Sequence, residues 1–157
     1  MSRPQTFDLI IRSEVTIDRA ARAVWPGFLD MGAWMSGLKF QAIEGDPGSE
    51  GEVRRVTPVG DSVYGAYHIR AARVTPFEQY VVKITPAQGS DYLGFADFSF
   101  FEERGRTRII YDIYLQLTLP PMDAQALQKF SDEQYAAVRE EANRNHRNLK
   151  TLIESSC

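Results

Sequence analysis

The residues able to do chemistry are few, and their spacing excludes several common catalytic devices. The two histidines, His68 and His146, stand far apart with no H-x-x-x-H spacing, and the one cysteine, Cys157, is the last residue. That set builds neither a metal site nor an intrachain disulfide. No G-x-S-x-G elbow presents a serine, and Cys157 has no structured base beside it. The glycine-rich run at 45–51 lacks the G-K-[ST] of a phosphate loop and reads as a hairpin connection or a cavity gate; 60–65 is the other candidate gate. Arg104, Arg106 and Arg108 are flanked by Glu102 and Glu103, the pattern of a solvated hairpin. No carboxylate pair suits glycoside hydrolysis. What remains is a set of hydrogen-bonding side chains with aromatic company: tyrosines 64, 80, 92 and 111, His68, Gln134, Glu141 and Asn145. Such groups fix the orientation of a small molecule if the fold brings them to one apolar space.

The elements that must position them follow from periodicity. Phe7, Leu9, Ile11, Ser13, Val15 and Ile17 share one parity, a half-buried strand. Asp18 stands as an N-cap for a short helix through Asp30, with Pro26 expected to kink or restart it. Residues 31–37 read as a compact turn or a second short helix. From 38 to 119 the signal is β, with strands expected at 39–44, 51–58, 62–74, 78–85, 91–103 and 106–119. The turn chemistry between them, including 86–91, favours an antiparallel meander. Residues 123–154 form a long helix with a possible restart at Ser131, where Ser131 and Gln134 match a capping box. From Ser131 it would run about 35 Å at ~1.5 Å per residue. The fold class is therefore α+β: one curved antiparallel sheet of about seven strands whose apolar face only the long C-terminal helix can cover. Sheet and helix leave a space between them.

Parity then selects the cavity side chains. On 106–119, Ile109, Tyr111, Ile113, Leu115 and Leu117 face in. On 78–85, Tyr80, Val82 and Ile84 do. On 91–103, the pairing of Asp97 with Leu93, Phe95 and Ser99 puts Tyr92, Gly94, Ala96 and Phe98 inside. Gln134, Val138, Glu141 and Asn145 lie along or beside the apolar stripe of the helix. Trp25 and Trp34 pack the core and the pocket mouth.

Composition sets the outer bounds. A chain of 157 residues, 43% hydrophobic and 25% charged, folds as one domain without disulfide or metal. A net charge of -3 argues against nucleic acid as partner. No apolar run reaches the ~18 residues of a membrane span, and the first twenty residues lack a secretory core. The expectation is a cytoplasmic protein, monomer or homodimer, with no cofactor, no metal and no integral membrane association.

Several segments together resemble the START-like (SRPBCC) superfamily with the Bet v 1-like helix-grip fold, in particular its bacterial polyketide cyclase/dehydrase-like group. They are Val15-Thr16-Ile17-Asp18 leading into Val24-Trp25-Pro26-Gly27-Phe28-Leu29-Asp30, then Trp34, and Gly51-Glu52-Val53-Arg54-Arg55-Val56, which looks like the family's G-x-x-R segment. Tyr80 and Asn148-Leu149-Lys150-Thr151-Leu152-Ile153-Glu154 complete the match. The resemblance covers nearly the whole chain. It implies that Tyr64, Ala66 and His68 face inward, a register the 62–74 pattern leaves open. Where many members carry a Glu early in the fourth strand, this chain reads Ser62-Val63-Tyr64-Gly65-Ala66-Tyr67-His68-Ile69, so no role resting on that carboxylate carries over. The fold hosts binders, transporters and enzymes. The expected function is binding of a small hydrophobic or aromatic molecule, lipids included, by Trp34, Tyr64, His68, Tyr80, Val82, Tyr92, Phe98, Tyr111, Ile113, Gln134, Val138, Glu141 and Asn145. The alternative is a cyclase/aromatase- or dehydratase-like enzyme with His68, Glu141 or Tyr64 as general acid or base.

Overall fold

The computed structural model describes residues 5–87 and 92–156. Expectations about Cys157, Asp91, the 88–91 part of a turn and the first four residues lie outside the described residues. The alternation that opens the chain becomes strand β1 (Gln5–Ile17), with Phe7, Leu9, Ile11, Ser13 and Ile17 buried. It leads into helix α1 (Ala21–Leu29) and a 3-10 turn at Met31–Ala33. Strands β2 (Leu38–Glu44), β3 (Val53–Pro58), β4 (Tyr67–Thr75), β5 (Gln79–Pro86), β6 (Tyr92–Glu103) and β7 (Arg106–Leu119) follow, then helix α2 (Ala124–Glu154).

All seven strands form one antiparallel sheet in the order β1-β7-β6-β5-β4-β3-β2. β1 and β2 are thus opposite edges, and α1 with the 3-10 turn carries the chain from one to the other. The β6–β7 hairpin turns on two residues, Arg104 and Gly105, both at positive φ (54° and 74°). That is the type I′ geometry whose twist suits a tight hairpin. α2 spans 31 residues, about 46 Å at ~1.5 Å per residue.

Three local expectations are corrected. Asp18 does not cap α1: Ala20 holds the cap position, and the first helical amide, Ala21 N, donates to the Glu102 carboxylate of β6 at 2.6 Å. Pro26 lies inside an unbroken α1, so the loss of one amide donor is tolerated in a two-turn helix packed on the core. α2 does not restart at Ser131; Asp123 caps it by accepting from Ala126 N at 2.7 Å.

Aromatic rings fill one end of the space between sheet and helices. Phe28 of α1 meets Phe98 and Phe100 of β6 edge-on at 4.9 and 5.0 Å, and Trp25 meets Phe100 at 5.2 Å. Beneath them lies a buried ion pair. Glu52 and Arg54 join through Arg54 Nε to Oε2 at 3.0 Å and Nη2 to Oε1 at 3.1 Å. Arg54 Nη1 also donates to the Leu29 carbonyl at 2.7 Å. A guanidinium there satisfies an orphan carbonyl at the C-terminal end of α1 and matches the helix dipole.

Candidate functional site

The other end of that space is open. A cavity of about 110 Å³ lies between α2 and the inner faces of β5, β6 and β7. Its walls include Trp34, Tyr92, Tyr111, Ile113, Val138, Glu141 and Asn145, together with Tyr64 from the 60s loop. A deeper pocket of about 60 Å³ shares Tyr67, Tyr111 and Ile113 and is lined by Val82 and Phe98. A groove of about 260 Å³ between residues 58–62 and α2 shares Tyr64, Tyr67, Leu38 and Glu141 with the cavity, and forms its mouth. A dry cavity of about 150 Å³ is enough to hold benzene. Cavity and deeper pocket together therefore match one ring, and the adjoining groove gives room for a second fused to it.

The strand register explains who is present. β4 begins at Tyr67, and its buried positions are Ile69 and Ala71. Tyr67 shares their parity and lines the cavity, whereas His68 pairs with Arg55 and Thr85 on the other face. The inward placement of His68 is therefore corrected. The cause is local: residues 62–66 form turns with Gly65 at φ 60°, so the strand starts late and Tyr67 takes the first inward position. Tyr64 reaches the cavity from that loop rather than from a strand. Tyr80 faces inward as expected but is 1% exposed and donates to Glu52 Oε1 at 3.0 Å, away from the cavity-lining set. Gln134 does not line the cavity either; its Oε1 accepts from Tyr64 OH at 2.8 Å.

The lining polar groups divide into committed and uncommitted. Tyr92 OH donates to the Tyr64 carbonyl at 2.9 Å, Asn145 Oδ1 accepts from Ser36 N at 3.2 Å, and Trp34 Nε1 donates to the Phe28 carbonyl at 3.0 Å. Among the described residues, the hydroxyls of Tyr67 and Tyr111, the carboxyl of Glu141 and Nε2 of His146 have no hydrogen-bond partner. Tyr111 is held instead by its ring, stacked on Phe98 at 4.3 Å with 2° between planes. Burial raises the hydroxyl pKa of Tyr64 and Tyr92 to about 12 and those of Tyr67 and Tyr111 further, so all four remain protonated donors. Neighbouring Glu141 adds to the rise for Tyr64, Tyr67 and Tyr111. Glu141 is itself pushed up by burial, with Arg144 opposing.

Two polar lining residues are absent from the expected site. Tyr67 was hidden by the late start of β4. His146, 2% exposed, is adjacent in sequence to Asn145, and the i, i+4 spacing from Ala142 is the signal that places it on the buried stripe. No trio of metal-ligating side chains occurs among the described residues.

No family model and no curated protein matches this chain. Solved structures do match. The Zhui aromatase/cyclase from Streptomyces sp. R1128 superposes with a TM-score of 0.73 at 13% identity, over 94% of each chain. A truncated norcoclaurine synthase from Thalictrum flavum gives 0.67 at 12% identity over 100% of both chains. Ara h 8.0201 gives 0.66 at 14% identity over 96% of this chain and 100% of that one. At such identities the likeness is one of fold, and the fold these proteins share with this chain is the START-like, Bet v 1-like helix grip that its sequence resembles.

Proposed function

We propose that the chain binds a small, largely apolar ring molecule between the sheet and α2. One observation carries this reading: the apolar cavity is lined by residues with four polar groups, Tyr67 OH, Tyr111 OH, the Glu141 carboxyl and His146 Nε2, that no described residue satisfies. His146 Nε2 is fully buried and the other three sit on half-buried residues, and a ligand in the cavity is the partner that would pair such groups. The neighbours' names, one an aromatase/cyclase and one a norcoclaurine synthase, are compatible with ring-shaped molecules in this fold. The test uses naphthalene as probe, followed by its fluorescence and by a thermal shift. The wild type should bind it, and Ala142→Phe, which fills the cavity from α2, should not. Failure of the wild type to bind, or equal binding by both, overturns the reading.

A second reading rests on Glu141. A half-buried carboxyl with a raised pKa, surrounded by tyrosine donors, has the makings of a general acid or base for a cyclisation or dehydration. Under that reading Glu141→Gln would bind naphthalene as the wild type does yet lose turnover of any substrate found.

A further inference from the structure

His146 is the lining residue whose chemistry is most tightly defined. Its Nδ1 lies 3.0 Å from Ser13 Oγ of β1. The Ser13 hydroxyl donates its only proton to Asn143 Oδ1 at 2.7 Å. It can therefore only accept from His146, so Nδ1 carries the ring proton. The other nitrogen, Nε2, is then a bare acceptor. It is buried and has no hydrogen-bond partner among the described residues. His146 lines the cavity with its Nδ1 edge tied to β1, and Nε2 is the one ring nitrogen left without a partner. Tyr111 flanks it with ring centroids 5.8 Å apart.

We infer that His146 Nε2 is a ligand-binding acceptor, and that the cavity selects uncharged aromatic molecules carrying an O–H or N–H donor over isosteres that lack one. This rests on the cavity being a site for ring-sized molecules. Glu141 is a further acceptor, and among the described residues no lysine or arginine lines the cavity to receive an anionic ligand, while Tyr67 and Tyr111 offer donors to any acceptor the same molecule carries. Burial lowers the His146 pKa to about 4, so the acceptor lone pair is free at neutral pH.

Indole and benzothiophene have nearly the same shape, and only indole has a donor. Calorimetry on the wild type should show indole bound about five- to tenfold more tightly, the range of one buried hydrogen bond. In His146→Phe the two should bind alike. Proton-coupled nitrogen NMR of the wild type, with His68→Gln to assign the two histidines, should place the proton on Nδ1 and show the Nε2 resonance moving with indole but not with benzothiophene. That measurement needs no cavity variant to fold. Equal binding by the wild type, an indole preference that survives His146→Phe, or a proton on Nε2 overturns the inference while leaving the cavity reading intact. Binding of neither molecule overturns both.

Discussion

His146 also carries a pH signature that needs no ligand to observe. Its pKa falls from 6.5 to about 4 on folding because burial penalises the imidazolium. Between those values the unfolded chain binds a proton that the folded one refuses, so stability drops as pH falls through that window. A shift of this size corresponds to about 3 kcal/mol at ~1.36 kcal/mol per unit. Glu141 acts the other way: its folded pKa is raised, so its contribution is present at low pH and is lost as pH rises through the folded value. Other groups facing the ring, Ser13 and Asn143, do not titrate, and Tyr111 stays protonated here. Urea unfolding at pH 7 and pH 4.5 should show the wild type losing stability more steeply than His146→Phe, by about 2–3 kcal/mol. Equal losses would mean that the ring is solvated or charged in the folded state.

At the scale of elements, the Glu52–Arg54 pair explains why one expected site residue is structural. Tyr80 closes that network from β5, while Gly48 N donates to the same Glu52 oxygen at 3.1 Å. Tyr80→Phe removes a hydrogen bond to a buried charge and should cost about 1.5–3 kcal/mol in urea unfolding. Naphthalene affinity should stay unchanged, because the hydroxyl lies away from the cavity; a weakened affinity would return Tyr80 to the site. The sequence exposed such elements unevenly. β7 was readable because Ile109, Tyr111, Ile113, Leu115 and Leu117 are apolar against Arg108, Asp112 and Gln116, and register cannot slip without exposing them. β4 was not, since tyrosine and alanine occur at both parities, and its start depends on a turn around Gly65 that only its neighbours on β3 and β5 fix. Glu52 and Arg54 left a faint trace: opposite charges at i and i+2 across the start of β3. His146 left fainter still, since its partner Ser13 lies across the fold in β1 and no local pattern pairs them.

Across the whole molecule, α2 is held very unequally along its length. Its buried residues, Ala142, Asn145, His146, Leu149 and Ile153, all fall in the C-terminal half. That half is tied to edge strand β1 and to the end of the 3-10 turn: Lys150 Nζ donates to the Thr16 carbonyl at 2.7 Å, Ser13 meets Asn143 and His146, and Asn148 Nδ2 donates to the Trp34 carbonyl at 3.1 Å. Gly27 of α1 lets Ile153 pack close, since a Cβ there would collide with its side chain. The N-terminal half rests on lighter contacts. Phe130 and Tyr135 touch Phe7 edge-on at 5.4 and 6.2 Å, and Gln134 meets the Tyr64 hydroxyl of the 60s loop. The mouth groove lies beside this loop and α2. A ligand entering there meets the part of the helix with least to lose on opening, because local stability follows buried contact. Hydrogen exchange should therefore be at least about tenfold faster for amides 128–138 than for 142–153. Saturating naphthalene should slow the first group and leave the second unchanged. Uniform protection along α2, or a ligand effect confined to its C-terminal half, would place the entrance elsewhere.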